Sequence, residues 1–144
     1  MLMGIDPVLS GELLAHLDAM GHSDSVVLAD AHFPTARLAR RAVTLPTLGT
    51  PRVLQAICSV IPLDEAPSLD LMASADGVAL PVQEELLAVA GVDPLDARFL
   101  DRYAFYTAAA EAFLIVRTGE TRVYGNVLLR KGVVPEPSKD GSDA

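Results

Sequence analysis

Leu13, Leu14, Leu17 and Met20 recur at helical spacing behind Ser10, whose hydroxyl can cap a helix. The pattern predicts a helix over 11–20, stopped by Gly21 in a left-handed conformation. Val26 to Ala29 is short, apolar on both faces and partly β-branched, as a strand covered on two sides should be. Beyond it the pattern gives a short helix over 35–41, a strand over 42–45, and a turn at Pro46 and Gly49. Thr50 and Pro51 then form an N-cap and first-turn pair for a helix whose Val53, Leu54, Ile57 and Ile61 share a face, closed by Pro62. A strand over 68–72, a turn at Asp76-Gly77 and a helix from Pro81 to Gly91 follow. The stripe from Asp101 to Ala112 predicts another helix, and 113–116 and 127–129 read as strands separated by a turn at Gly119. Strands alternating with helices predict an α/β fold, a single three-layer domain with a mixed sheet flanked by helices over residues 1–134. The last ten residues, PEPSKDGSDA, have almost no apolar side chains, so 135–144 are expected to form a flexible tail.

Composition changes this picture in three ways. Apolar residues make up 51% and mean hydropathy is +0.35, so membrane insertion has to be weighed. No run of about 18 uncharged apolar residues exists, because Gln55, Ser59 and Glu111 interrupt the most apolar stretches. The opening MLMGIDPVLSG has no basic region and carries Asp6 and Pro7, which does not read as a signal peptide, and a cytoplasmic protein is expected. The lone Cys58, next to Ile57, reads as a packed thiol in a reducing compartment. Formal charge is 11 minus 19, or −8, which opposes an electrostatic footprint on nucleic acid and makes Arg37, Arg40 and Arg41 a solvated helix face. So apolar a small chain predicts a homo-oligomer that covers part of its own surface.

There is no GxGxxG, Walker loop, paired CxxC or GxSxG, so no motif supports dinucleotide, nucleoside-triphosphate, structural-zinc or hydrolase-elbow chemistry. His16, His22 and His32 do not fall at metal-ligand spacing, and neither metal nor cofactor is expected. His22 and Asp30 bracket the apolar run in GHSDSVVLADAHFP. On spacing alone, His22 reads first as an exposed imidazole at a helix C-terminus rather than as a catalytic group, and Asp30 as a turn or helix-capping residue. Ligands do gather beyond the carboxyl ends of strands in such sheets. Near the C-terminus, Tyr103, Phe105 and Tyr106 read as core. Tyr124-Gly125-Asn126 reads as a polar entry to a strand, and Arg102 as an ion-pair partner of Asp101 or Glu111.

Taken together, the GHxD element (Gly21 to Asp24), DAHFP, RYAFY (Arg102 to Tyr106), TGE (Thr118 to Glu120) and YGNVLLRKGV resemble the L-fucose mutarotase family, a branch of a wider group that includes the D-ribose pyranases. The resemblance covers most of residues 1–134, and the DAHFP and RxAFY stretches are more similar to the fucose branch. It implies a sugar mutarotase domain that interconverts the α and β anomers of a free monosaccharide without a cofactor. It further implies His22 as the proton-transferring group, with Asp30, Arg102, Tyr124, Gly125 and Asn126 matching the sugar-binding positions. Ring-shaped homo-oligomers, often decamers, with sites near subunit contacts are also implied. The sequence departs from the family at Asp101, where an uncharged residue is common, and matches only loosely over 62–97.

The expected reaction removes a proton from the anomeric hydroxyl, delivers one to the ring oxygen, and recloses on the other face of the aldehyde. An imidazole with a reference pKa of ~6.5 suits that shuttle. Two other expectations stay open: a D-ribose pyranase-like activity, and a regulatory subunit that binds sugar without turnover. An assembly protein whose polar loops only cap helices is the remaining alternative.

Overall fold

The computed structural model describes residues 1–65 and 67–138. Among them are six strands: β1 (Ser25–Ala29), β2 (Ala42–Leu45), β3 (Leu69–Met72), β4 (Ala97–Leu100), β5 (Leu114–Thr118) and β6 (Val127–Arg130). Five helices accompany them: α1 (Gly11–Ala19), α2 (Thr35–Leu38), α3 (Thr50–Cys58), α4 (Pro81–Ala90) and α5 (Arg102–Glu111). The strands form one sheet in the order β2-β5-β1-β6-β3-β4. β6 runs antiparallel to both its neighbours, β1 and β3, while the other pairings are parallel. This is the mixed α/β sheet the patterning predicts.

Alternation along the strands sorts the core into two layers. Val26 and Leu28 of β1, with Leu114, Val116, Val127 and Leu129, pack against α1, α3 and α4. Val27 and Ala29, with Ile115 and Leu128, point the other way and meet Phe105 and Ala109 of α5 and Phe33 before α2. Both faces of β1 are thus covered, which is why its sequence shows no polar alternation. No helix among the described residues is long and apolar enough to cross a membrane.

Several local expectations need correction. α1 ends at Ala19 with Met20 extended, and the left-handed residue is Ser23 (φ 68°), not Gly21. The Gly21 N–H instead donates to Asp24 Oδ2 at 2.8 Å, so a side-chain turn ends the segment. The cap of α3 is Gly49, and Thr50 is its first residue, with its hydroxyl turned inward. α2 is a single turn, ending at Leu38. Arg41 is more than a solvated face residue: Nη1 donates to the Phe113 carbonyl and its guanidinium lies 3.9 Å from the Phe113 ring centroid. Cys58 is the packed thiol expected, with burial pushing it up to about 11. Strand β4 had no sequence signal, being a four-residue edge strand without apolar alternation. Of the expected tail, 135–138 are exposed and irregular, and 139–144 lie outside the described residues.

β4 is held by charge. Asp70, fully buried in β3, accepts from Arg98 Nε (3.1 Å) and Nη2 (2.9 Å) on one side and from Arg130 Nη2 (2.6 Å) on the other. Burial pushes this carboxyl up, but the two guanidinium groups outweigh it and hold it below its ordinary value. Replacing Asp70 by Ala is expected to cost about 2–3 kcal/mol, below the usual loss for breaking a buried pair because both arginines can turn to water. Because the folded pKa is depressed, this stability is present above pH ~4 and lost as pH falls through the folded value. Urea unfolding at pH 7 and pH 3 checks this: the wild type should weaken toward acid, and Asp70→Asn should flatten that part of the profile.

Candidate functional site

Because β6 alone is reversed, one edge of the sheet collects the carboxyl ends of β1, β3, β4 and β5 and the amino end of β6. Four of these strands deliver side chains there: Asp30 and His32 after β1, Met72 ending β3, Arg102 after β4 at the start of α5, and Tyr124 and Asn126 before β6. Together they line a cleft of about 390 Å³. Asp30, His32, Arg102, Tyr124 and Asn126 form its polar side, and Phe33, Met72, Tyr106 and Val123 its apolar side. The ring of Phe33 is fixed by edge-on contacts to Phe105 (5.9 Å) and Tyr106 (5.4 Å).

At the floor, Asp30 and Asn126 bind each other reciprocally. The Asp30 N–H donates to Asn126 Oδ1 (2.7 Å), and Asn126 Nδ2 donates to Asp30 Oδ2 (2.9 Å). The His32 N–H donates to Asp30 Oδ1 at 2.9 Å. Both residues are buried, yet each carboxylate oxygen has made only one side-chain or loop contact, leaving lone pairs for a ligand. Tyr124 sits in the left-handed region (φ 62°), an uncommon conformation for an aromatic residue. Gly125 follows because a Cβ there would lie 2.9 Å from Glu120 Cγ and 3.0 Å from the Arg122 carbonyl. Arg102 stands at the mouth, its Nη2 donating to the Tyr103 hydroxyl at 3.0 Å. It pairs with neither acid the sequence offered. Asp101 instead caps α5, accepting from the Tyr103 and Ala104 N–H groups.

Four of the five side chains singled out by the sequence therefore meet: Asp30, Arg102, Tyr124 and Asn126. His22 does not join them within one chain. It precedes β1, at the opposite sheet edge, where Nε2 lies 3.2 Å from Asp64 Oδ1. The five residues of β1 alone separate the two edges by roughly 13 Å. Hydrogen bonds from Ser23 and His22 hold Asp64 below the usual carboxylate range, and the imidazole is largely exposed. Among the described residues no three of His, Cys, Asp and Glu are grouped as a metal's ligand set.

Sequence reasoning missed the apolar wall and the support beneath the YGN turn. Tyr106 was read only as core, and Met72 and Val123 carried no signal at all. Glu120 appeared only as part of a turn, yet its carboxylate is buried. The available signal was an acid two residues beyond β5, in the TGE turn that the resemblance had already picked out.

The model of the RbsD / FucU transport protein family matches residues 3–134. The zebrafish (Danio rerio) fucose mutarotase is 40% identical, over 93% of this chain and 95% of that protein. The crystal structure of the fucose mutarotase from Streptococcus pneumoniae in complex with L-fucose superposes with a TM-score of 0.87 at 34% identity, covering 93% of this chain and all of that one. The Bacillus subtilis RbsD structure with D-ribose shares the fold, with a TM-score of 0.75 and 19% identity over 94% of this chain and 100% of that one.

The reciprocal pair makes a sharp prediction. Asn126→Asp sets two buried carboxylates face to face, which raises one pKa of the pair above its unfolded value. A raised acid pKa leaves stability untouched at low pH and removes it as pH rises. Asn126→Asp should therefore melt well below the wild type at pH 7, by about 2 kcal/mol, and recover most of that gap near pH 4. Thermal unfolding across pH 4–8 checks this, with a constant gap counting against it.

Proposed function

The chain belongs to the RbsD / FucU transport protein family, and from that premise we propose that it is an isomerase, a mutarotase interconverting the α and β anomers of L-fucose. The observation that carries this reading is the two-sided cleft, with a carboxylate, a guanidinium, a phenol and an amide opposite Phe33, Met72, Tyr106 and Val123. A 6-deoxy sugar presents that asymmetry, with hydroxyls on most carbons and one methyl to be kept from water. D-Ribose has no methyl, and the resemblance is also stronger to fucose mutarotases than to RbsD. D-Ribose is the alternative substrate.

In the proposed reaction a base takes the proton from the anomeric hydroxyl, and that electron pair forms the C1 carbonyl. The bond from C1 to the ring oxygen breaks, and the ring oxygen receives a proton. Rotation about C1–C2 and the reverse steps give the other anomer, with no net change in protons or electrons. Asp30 accepts from sugar hydroxyls through its remaining lone pairs. Arg102, its charge at the mouth, donates in a planar fork to ring or hydroxyl oxygens. The Tyr124 hydroxyl donates to a sugar oxygen and relays a proton. Asn126 contributes mainly by orienting Asp30, since its amide is largely taken up by that pair.

The proton-transferring residue is His22, supplied by a second copy of the chain. Its exposed imidazole lies at the edge of the sheet away from its own cleft, and the apolar wall of the cleft in a single copy is left open to solvent at Val123, 58% accessible. A homo-oligomer, in the ring form the resemblance implies, with each cleft near a subunit contact, accounts for both. His32 favours a second reading: it lines the cleft itself and could move the proton within one chain. We place the reaction in the cytoplasm, consistent with the single unpaired cysteine.

Magnetisation-transfer NMR on an equilibrium mixture of L-fucose anomers tests the activity. Accelerated exchange is expected, faster than with D-ribose. Saturable binding without exchange would leave a sugar-binding subunit, and neither would end the sugar reading. His22→Ala should slow exchange by about 10²- to 10⁴-fold with the oligomer intact. His22→Ala and Asp30→Asn chains, dissociated and reassembled together at equal ratio, should recover about a quarter of wild-type activity by random pairing. No recovery, with His32→Ala inactive and His22→Ala active, would transfer the role to His32.

A further inference from the structure

We propose that Glu120 is a positioning residue for the cleft, setting the distance between Asp30 and the Tyr124-Gly125-Asn126 turn. This rests on the reading of that cleft as the sugar site. Glu120 touches no cleft space itself, and its carboxylate is buried at the end of β5. Every oxygen it has is in use. Oε1 accepts from the Arg122 backbone N–H (3.1 Å) and Nε (2.8 Å). Oε2 accepts from Arg122 Nη2 (3.2 Å) and from the Thr50 N–H (3.3 Å). Its backbone carbonyl accepts from the Ala31 N–H at 2.8 Å, one residue after Asp30.

One residue therefore grips both walls. The main chain of Glu120 fixes the exit of β1, and its side chain fixes the loop that carries Tyr124 and Asn126. The aliphatic part of the side chain completes the device, since Glu120 Cγ lies directly under Gly125 and leaves no room for a Cβ there. On the far side, the Thr50 hydroxyl donates to the Gly125 carbonyl at 2.8 Å, and the Thr118 hydroxyl donates to the Ala29 carbonyl at 2.8 Å. The left-handed Tyr124 is thus held between α3 and the Glu120-Arg122 fork. Arg122 extends the tie to Glu85 of α4 at 2.9 Å. The guanidinium bonded to Glu120 holds its carboxyl below the usual range against the opposing effect of burial, so it stays an all-acceptor group.

That last property gives a clean probe. In Glu120→Gln the shape is retained, but either orientation of the amide turns its NH₂ toward two donors. Expected for Glu120→Gln is an intact fold and oligomer, with kcat for L-fucose anomer exchange down about ten- to hundredfold and KM changed much less. Tyr124→Phe, costly in the wild type, should cost little in the Glu120→Gln background, because the hydroxyl is already misplaced. Strictly additive losses, or an unchanged kcat, would overturn the proposal. Amide hydrogen exchange supplies a readout independent of turnover: protection at Ala31 and Thr50 should fall at least about tenfold while that of Val27 holds. Unchanged protection overturns the proposal even if no sugar is turned over, whereas absent wild-type turnover with lost protection defeats only the sugar reading. Should Glu120→Gln fail to fold, Arg122→Lys decides, since it keeps the charge but loses the fork. It should show the same changes in weaker form, and wild-type kcat and protection in it would overturn the proposal.

Discussion

A carboxylate withdrawn from water has to be met by donors, and in this sheet each buried carboxylate is met by a segment distant in sequence. Asp30 takes an amide from Asn126, 96 residues on. Asp70 takes a guanidinium from Arg130, 60 residues on. Glu120 takes the N–H of Thr50, 70 residues back. Two of these acids hold the two ends of β6, Asn126 at its entry and Arg130 at its exit. β6 is the strand that must run against its neighbours, and a slip of one residue would turn Leu128 and Arg130 to the wrong face. Apolar strands match one another in many registers, whereas a carboxylate and its donors match in one.

The same ties explain what could be read from the sequence. Helices α1, α4 and α5 and strands β1 and β2 were legible because periodicity and end signals agree there, as at Ser10, Pro81 and Gly91, whose left-handed φ of 67° ends α4. β4 was not, since its place is set by an ion pair to Asp70 and not by a hydrophobic pattern. Asp30 and Asn126 stood out through the family resemblance, and the structure gives their pairing a physical reason. Phe33, Met72, Tyr106 and Val123 were invisible as a wall, because apolar residues at helical or strand spacing look the same whether they face a core or a ligand. Glu120 was hidden for a related reason: three of its four donors come from nearby Arg122, but the Thr50 N–H and the Ala31 N–H that tie it to the cleft walls are brought to it only by the fold.

Topology also decides which groups one chain can assemble. A parallel α/β sheet gathers its loops at the carboxyl edge, and the reversed β6 adds an amino-terminal entry to that same edge. His22 enters β1 and Asp30 leaves it, so no rearrangement of loops brings both to one cleft without unravelling the central strand. Proximity in sequence is here a guarantee of separation in space. An imidazole needed at the cleft must come from His32 or from another copy, and that choice follows from strand direction alone.

The division of labour around Asp30 follows from the geometry of an amide. Asn126 offers one acceptor and two donor hydrogens, and orienting Asp30 uses the acceptor and one hydrogen. What this pair offers to the cleft is then chiefly carboxylate, held in one orientation by the amide. A carboxylate fixed in advance loses little freedom on binding hydroxyls, and its burial strengthens each contact. Arg102 is the opposite case, exposed at the mouth and tied only to its neighbour Tyr103. A fixed acceptor at the floor with a long, exposed donor at the mouth suits the proposed reaction, in which a sugar ring opens and turns. In that proposed reaction the floor would hold the hydroxyls that stay in place, and the mouth would follow the one oxygen that moves.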